Sequence, residues 1–450
     1  MSEPRFVPPH PPREAVAAPV WRGLFGERAR NSVYGWSQKA FEIRHIRRQV
    51  LRFTVHIPLD PDAVQRVLQT NAANYAKPDI VKKLIAPMIG KGLLSADGDL
   101  WRAQRRIVAA SFTPGAVESV ASIFASTAEA RMAGWPDGST GDMAAEATAT
   151  TMTIIADTLF GGDPRLKTPE AMHNIAASLK AGGEVRLSAI LGLPPVPWNR
   201  TMRAGQRAQK ELRRTLANVV RDRLPDGGDD FLGQLISDLH DRFSPAEALQ
   251  LAVDNAATFY LAGHETTANA VTWTLYTLAA QPDLQEQAAA EARAALADGE
   301  PATLADRLPL LRRVLDETLR LYPPVPRFDR QAIGHDELSG TAVEPGDIVS
   351  IWPWVLHRHK ALWDDPDAFD ADRFLPDAKA KQHRFQYVPF GGGPRVCVGM
   401  RFSIVEALVI LAHWLAAWRF QLPPGHIVRP VGTVTLKPDG GLPLIRTRRD

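Results

Sequence analysis

The sequence predicts a mainly α fold with small β-sheets. Residues 246–281 run without a proline, enough for one helix of about 50 Å. After Tyr322 the texture changes to short alternating segments broken by Gly340 and Gly346. Strands and helices nowhere alternate in the βαβ manner of a parallel sheet.

The elements follow in order. The opening stretch, MSEPRFVPPHPPREAVAAP, is rich in proline and reads as an extended, weakly ordered arm over residues 1–20. It lacks the basic start and apolar run of a signal peptide. Residues 51–57 read as a strand, 61–70 as a helix opening with acidic residues, and 98–112 as a helix closed by Thr113-Pro114-Gly115. The middle of the chain is helical, broken at 193–197 and 225–230. Ser244-Pro245-Ala246-Glu247 supplies a capping residue, a first-position proline and a Glu three residues after the cap, so the long helix starts there. Helices are expected at 282–298 and 309–321, short strands over 336–351, a loop over 357–394, a last helix just after Cys397, and strands with turns from Pro423 on.

Of 450 residues, 45% are apolar and 23% charged, ordinary for a globular chain and too apolar for a disordered one. The net charge of +3 argues against a dedicated nucleic-acid binder. The single cysteine, Cys397, excludes an internal disulfide framework and a Cys-rich zinc or iron–sulfur site, and it suits a reducing compartment. No uninterrupted apolar stretch reaches the ~18 residues of a membrane span; the most apolar run, residues 404–418, carries Glu406 and His413.

Chemistry gathers around the lone thiol. In Phe390-Gly391-Gly392-Gly393-Pro394-Arg395-Val396-Cys397-Val398-Gly399 the glycines let backbone pass close to a flat or bulky partner, and Gly399 lets the next helix start without a Cβ in the way. A thiolate at a helix N-terminus is favoured by the amides and dipole there. That suits an anionic sulfur ligand to iron, and Arg395 can then pair with a carboxylate of the same cofactor. The segment has neither a phosphate-loop ending nor a dinucleotide fingerprint; spacing alone leaves a nucleophilic cysteine open. A second group, Ala262-Gly263-His264-Glu265-Thr266-Thr267, lies midway along the long helix. Thr258, Ala262 and Thr266 share a face, Ala262 and Gly263 are small enough to admit a flat cofactor, and Glu265 and Thr266 form an acid–alcohol pair. Ala268 stands where a zinc protease requires its second histidine. Glu317 and Arg320 sit at i and i+3 on a helix. Trp101 and Arg105 sit four apart, and both are donors suited to a carboxylate.

The cysteine segment resembles, at every fixed position, the haem-binding signature Phe-x-x-Gly-x-Arg-x-Cys-x-Gly of cytochromes P450. The other motifs fit that family in its order, so the likeness runs from about residue 50 to 446. The resemblance implies the cytochrome P450 fold as a single domain over residues 21–450, haem b (iron protoporphyrin IX) as cofactor and Cys397 as its proximal ligand. Phe390, Gly399 and Ala262 would lie against the cofactor, and Trp101, Arg105, Arg330 and Arg395 would hold its propionates. Thr266 would hydrogen-bond bound oxygen while Glu265 helps deliver protons through water. Glu317, Arg320 and Arg373 would form a buried network on the thiolate side, with His264 structural. Phe259, Val325 and Val434 would border a distal pocket roofed by residues 75–94 and 180–198, and Arg327 would either grip an acidic substrate group there or point away at the surface.

The activity implied is a monooxygenase that inserts one atom of O2 into a hydrophobic small molecule. Its rivals are a peroxide-driven P450 and a non-catalytic haem protein; members of the first kind typically lack the Glu265–Thr266 pair, and the second would not need it. No flavin or nicotinamide site is legible, so electrons are expected from a ferredoxin or flavodoxin with its reductase. The lack of a legible transmembrane anchor resembles bacterial, cytoplasmic members. His357-Arg358-His359 offers a metal pair without a third ligand and reads as structural.

Overall fold

The structure is a computed structural model describing residues 5–16, 26–50, 53–184, 200–224, 228, 230–297 and 299–450. The expected break at 193–197, most of the break at 225–230 and most of the expected roof at 180–198 lie outside the described residues. The longer helices are α1 (Asp79–Ile89), α2 (Gly98–Ala109), α3 (Ala121–Ala133), α4 (Met143–Leu159), α5 (Pro169–Glu184), α6 (Arg200–Arg223), α7 (Phe231–His240), α8 (Pro245–Ala279), α9 (Pro282–Ala297), α10 (Pro309–Leu321) and α11 (Met400–Ala417). Prolines and caps set several of these ends where the sequence reading put them. The Ser244 side chain and Glu247 close a capping box at the start of α8.

The expected long helix is α8, unbroken over 35 residues and about 52 Å in length. Its core-facing residues surround it rather than forming one stripe: Tyr260, Thr267, Trp273 and Leu278 are all buried. A helix buried all round belongs in the middle of a fold, and α4, α7, α10 and α11 pack against this one. One helix among the described residues, Met400–Ala417, is long and apolar enough to cross a membrane; here it is a core helix, with Val409, Leu411 and Trp414 fully buried. The expected helix at 61–70 is instead a short α-helix, Pro61–Gln65, followed by a wider turn, Arg66–Thr70.

The strands are β1 (His45–Val50), β2 (Phe53–Pro58), β3 (Tyr75–Ala76), β4 (Ser139–Asp142), β5 (Phe328–Ala332), β6 (Asp336–Leu338), β7 (Thr341–Val343), β8 (Ile348–Ile351), β9 (Trp418–Gln421), β10 (Pro430–Gly432), β11 (Leu436–Pro438) and β12 (Pro443–Arg448). The largest sheet has the order β1-β2-β8-β5-β3, antiparallel except for the β2–β8 pair. In it Tyr75 faces Ala332 and Ala76 faces Gln331. One step further along this register brings Lys77 opposite Arg330.

Residues 5–16 are extended, as expected of a proline-rich arm, but they are anchored. The Phe369 amide donates to Phe6 O at 2.8 Å, the Tyr322 hydroxyl donates to Pro9 O at 2.7 Å, and Arg13 pairs with Asp367.

Glu317 and Arg320, both 0% exposed, form a bidentate pair with N–O distances of 2.7 Å. Arg320 also donates to the carbonyls of His357, Pro366 and Ala368, and Glu317 accepts from the Asp370 amide at 2.9 Å. Arg373 joins at 3.5 Å from Glu317. His357 extends the network: Nδ1–H donates to Arg320 O at 3.2 Å, and Nε2 accepts from the Val388 amide at 2.9 Å. Burial and the Arg320 charge push this imidazole down to about 3, so it stays neutral and keeps an acceptor nitrogen. Among the described residues no three His, Cys, Asp or Glu side chains cluster as a metal site.

Every donor of the Arg320 guanidinium faces Glu317 or a carbonyl, so Glu317→Ala leaves a buried charge uncompensated. A loss of about 3–5 kcal/mol is expected. Denaturant unfolding is the check: a variant with the parent midpoint and slope would contradict this account.

Candidate active site

Cys397 is placed by its own loop. Gly391 and Gly393 have φ of +71° and +63°, the region glycine occupies freely. A Cβ on Gly393 would overlap the Leu68 carbonyl oxygen, so its close partner is the turn at 66–70, a piece of this chain. Gly399 is not sterically required by the protein: a Cβ there would meet only Phe112, at 3.7 Å. The Cys397 amide donates to Phe390 O at 3.0 Å, which closes the loop, and α11 begins three residues on. The Gly399 amide is the backbone group that acts on the sulfur. Burial pushes the thiol up from its usual value, while this amide and the nearby Arg105 guanidinium draw it back toward the thiolate. The side chain has accessible surface yet is surrounded by protein, because the space it faces is internal.

That space is a cavity of about 360 Å³, within the range of small-molecule sites. Ala262 and Thr266 of α8, Phe390 and Gly399 of the cysteine loop, and Phe259 and Val325 form part of its wall, as the sequence reading expected. Trp101, Arg105, Arg330 and Arg395 line it as well. Two expected pocket residues do not. Val434 is exposed in the turn between β10 and β11. Arg327 is turned to its own neighbour, with Nη2 donating to Asp329 at 2.9 Å; a carboxylate two residues away holds its guanidinium outside the cavity.

Around the catalytic pair expected on α8, the Thr266 hydroxyl donates to Ala262 O at 3.1 Å. Glu265 is half-buried, lies outside the cavity lining, and makes no hydrogen bond or ion pair among the described residues. His264 is buried with Nδ1–H on Tyr260 O at 2.8 Å, a structural contact.

Charge is distributed unevenly over the wall. Arg395 pairs with Asp97, donates to Ala96 O at 3.0 Å and lies over the Trp101 ring at 4.4 Å. Asp97 precedes α2 but does not cap it; it accepts instead from Arg395 and from the Lys77 amide at 3.3 Å. Arg330 donates to the Asp329 carbonyl at 3.0 Å and has no salt bridge among the described residues. Lys77, which the sequence reading did not single out, lines the same wall. Burial and the charges of Arg330 and Arg395 depress its ammonium to about 7, and burial with Arg395 depresses Arg330 to about 10. Arg105 adds a further cation, without a carboxylate partner among the described residues. A buried excess of positive charge is costly, and a doubly anionic ligand relieves it. The remaining walls are largely apolar, with the hydroxyls of Thr258, Thr266, Thr267 and Ser403 among them, and the sulfur can bind iron. The residues therefore fit a flat, iron-holding group with two carboxylates, which is a description of haem. The protein falls among the haem-dependent oxidoreductases.

Comparisons give the same answer more narrowly. The sequence profile of the cytochrome P450 family matches residues 27–442. Cyclooctatin synthase of Streptomyces melanosporofaciens is 33% identical over 387 residues, covering 84% of this chain and 83% of the relative. Echinocystic acid 23-monooxygenase of Saponaria officinalis is 30% identical over 399 residues, covering 81% and 75%. The crystal structure of the cytochrome P450DA heme domain superimposes with a TM-score of 0.83 at 23% identity over 99% of both chains. The chain belongs to the cytochrome P450 family: it is a P450 monooxygenase and its cofactor is haem.

Lys77 gives the site a pH dependence. Its pKa is lowered from 10.5 to about 7 by burial and the neighbouring Arg330 and Arg395 charges, so the protonated amine works against folding. That penalty is full below pH 7 and is relieved as pH rises from 7 toward 10.5. Binding a dianion restores the ammonium, so haem uptake consumes a proton above pH 7. Affinity of the haem-free protein for haem is expected to be highest below pH 7 and to fall by up to about tenfold per unit above it. Absorbance titrations across pH 6–9 check this, and Lys77→Met should flatten the slope; equal slopes in both proteins would refute the assignment.

Proposed function

We propose that this monooxygenase inserts one oxygen atom of O2 into an uncharged, largely apolar small molecule, reduces the other atom to water, and draws its electrons from a separate ferredoxin or flavodoxin. The observation that carries the reading is one cavity that unites the lone thiol, the small-residue stretch of α8 with Thr266, and the unbalanced cations. Haem, once bound, supplies the activation of dioxygen and the oxygen transfer.

Cys397 is assigned as the thiolate ligand; the Gly399 amide and Arg105 favour its anionic form. Lys77, Arg330 and Arg395 are assigned to the propionates together with Trp101 and Arg105, with Asp97 sharing Arg395. Thr266 is assigned the proton donation: rotation about χ1 moves its Oγ1 from the Ala262 carbonyl toward the cavity. Glu265, adjacent and half-buried, resupplies that proton through water. Glu317, Arg320 and Arg373 hold the thiolate side together.

The substrate class is supported by the apolar wall at Leu93, Phe112, Leu159, Phe259 and Val325, which offers no charged partner. The exposed cation Arg106, on the same helix as Arg105, supports an acidic donor protein. A single cysteine supports a cytoplasmic location.

The reduced, haem-loaded protein treated with carbon monoxide should show the long-wavelength Soret band of a thiolate-ligated haem, and Cys397→Ser should lose it. With a surrogate ferredoxin and its reductase, the enzyme should consume O2 and oxidise hydrophobic substrates. Equal turnover on hydrogen peroxide alone would overturn the need for a donor. Thr266→Ala should retain haem, lose product formation by about 10²-fold and release hydrogen peroxide instead; unchanged product per electron would remove Thr266 from the mechanism.

A further inference from the structure

Away from the thiol, α5, α6 and the first turns of α8 enclose an open groove of about 1000 Å³. Its floor is small and apolar, with Ala204, Ala217, Leu249 and Val253. Its wall is charged. Along α6, positions 200, 203, 207, 210, 214, 217 and 221 recur at steps of three and four and so follow one face. Six of these seven are Arg or Lys, Ala217 being the exception, and the row runs for about 31 Å. Arg207, Lys210, Arg214 and Arg221 are exposed and line the groove, while Leu212, Leu216 and Val219 of the same helix are buried.

The fold makes little use of this row. The cation that α6 spends internally is Arg213, outside the row: Nη2 donates to the buried Asp254 of α8 at 2.6 Å and Nη1 donates to Met88 O at 3.2 Å. Within the row, Arg214 pairs with Glu211 one turn back at 2.6 Å, and Arg221 donates to the Asn218 side chain at 3.3 Å. Arg207 and Lys210 make no ion pair among the described residues. Like charges at steps of three and four repel and work against the helix that carries them.

We propose that the α6 groove is a docking surface for an acidic helix of a partner protein, separate from the donor face at Arg106. A helix with Glu or Asp at alternate steps of three and four sets a carboxylate against each cation in turn, and the small floor residues let its backbone come close. A bilayer is flat on this scale and does not enter a groove, and the row carries none of the aromatic residues that anchor at a membrane interface. Nucleic acid presents unbroken negative charge, which Glu170 and Glu211 on the groove wall oppose. A partner whose carboxylates are spaced leaves room for both. The docking surface does not depend on the oxygenase reading.

Fluorescence anisotropy with a labelled synthetic peptide tests this. The probe is a helix of about 22 residues with glutamates at steps of three and four on an alanine and glutamine background. Its control has the same composition with the glutamates scattered around the helix. The haem-loaded protein should bind the probe about tenfold more tightly than the control, and the affinity should fall as salt is raised. Arg207→Glu with Lys210→Glu should weaken binding by about tenfold and keep the parent's unfolding midpoint, whereas Arg106→Glu should leave binding as it is. Should the charge-reversed protein fail to fold, Arg207→Gln with Lys210→Gln carries the same comparison. Equal affinity for the two peptides, or binding unchanged by the α6 substitutions, would overturn the proposal. Loss of binding with Arg106→Glu in place of the α6 substitutions would move the site to the donor face and overturn it as well. Phosphatidylglycerol vesicles or a short DNA duplex binding more tightly than the probe, and released by the same α6 substitutions, would replace the acidic helix with a membrane or a nucleic acid.

Discussion

Cations outnumber carboxylates on one wall of the cavity, and a protein interior does not hold that imbalance at rest. Lys77 and Arg330 are both pushed toward their neutral forms by burial and by neighbouring positive charge, with Asp97 the carboxylate that faces them. The sheet creates this crowding. Pairing of β3 with β5 sets Ala76 against Gln331, and the same register carries Lys77 to Arg330. The hydrogen bonds that fix the sheet thus also set the charge of the pocket. A ligand bringing two carboxylates completes the fold's electrostatics as well as its chemistry.

The Glu317–Arg320 pair shows the contrary case, a buried charge that is fully satisfied. Its acceptors are carbonyls of residues 357–368, the loop that leads toward Cys397. From Arg320 the connection continues through the neutral His357 ring to the Val388 amide, and Val388 O accepts from the Gly391 amide at 3.0 Å. A few hydrogen bonds therefore join α10 to the cysteine loop. Buried ion pairs add little net stability, but losing one partner is severe. That asymmetry suits a part whose task is to keep the thiol's loop in one geometry.

Much of this was legible in the residues because local rules govern it. Ser244-Pro245 and Pro309 mark helix starts at which the chain has few alternatives, so α8 and α10 begin where the sequence reading put them. The cysteine loop was legible for a similar reason: glycines and a lone thiol leave few chemical readings. What escaped depends on contacts between distant segments. Lys77 stands out only once β3 and β5 are paired. The attachment of Arg395 to Asp97 joins residues 298 apart in sequence. Arg327 was open to either role in the sequence, and a contact with Asp329 two residues away decides for the outward one. Gly393 was legible as a close approach, yet its partner, the Leu68 carbonyl, could not be read from the loop itself.

The two adjacent threonines of α8 gather these constraints at one point. Successive helical residues are about 100° apart around the axis, so Thr266 and Thr267 lean on different walls although both border the cavity. Thr266 gives its hydroxyl to the helix's own Ala262 carbonyl, a contact that a rotation can release toward the ligand. Thr267 meets Ser403 on the neighbouring helix, against a buried acid. A helix that is buried on most of its surface leaves its polar atoms little water, and each hydroxyl there needs a partner. One finds it in its own backbone and the other in α11, which begins beside the thiol. The same turn of helix therefore offers a releasable hydroxyl to the cavity and a fixed one to the thiolate side, an asymmetry that follows from helix geometry before any chemistry is assigned.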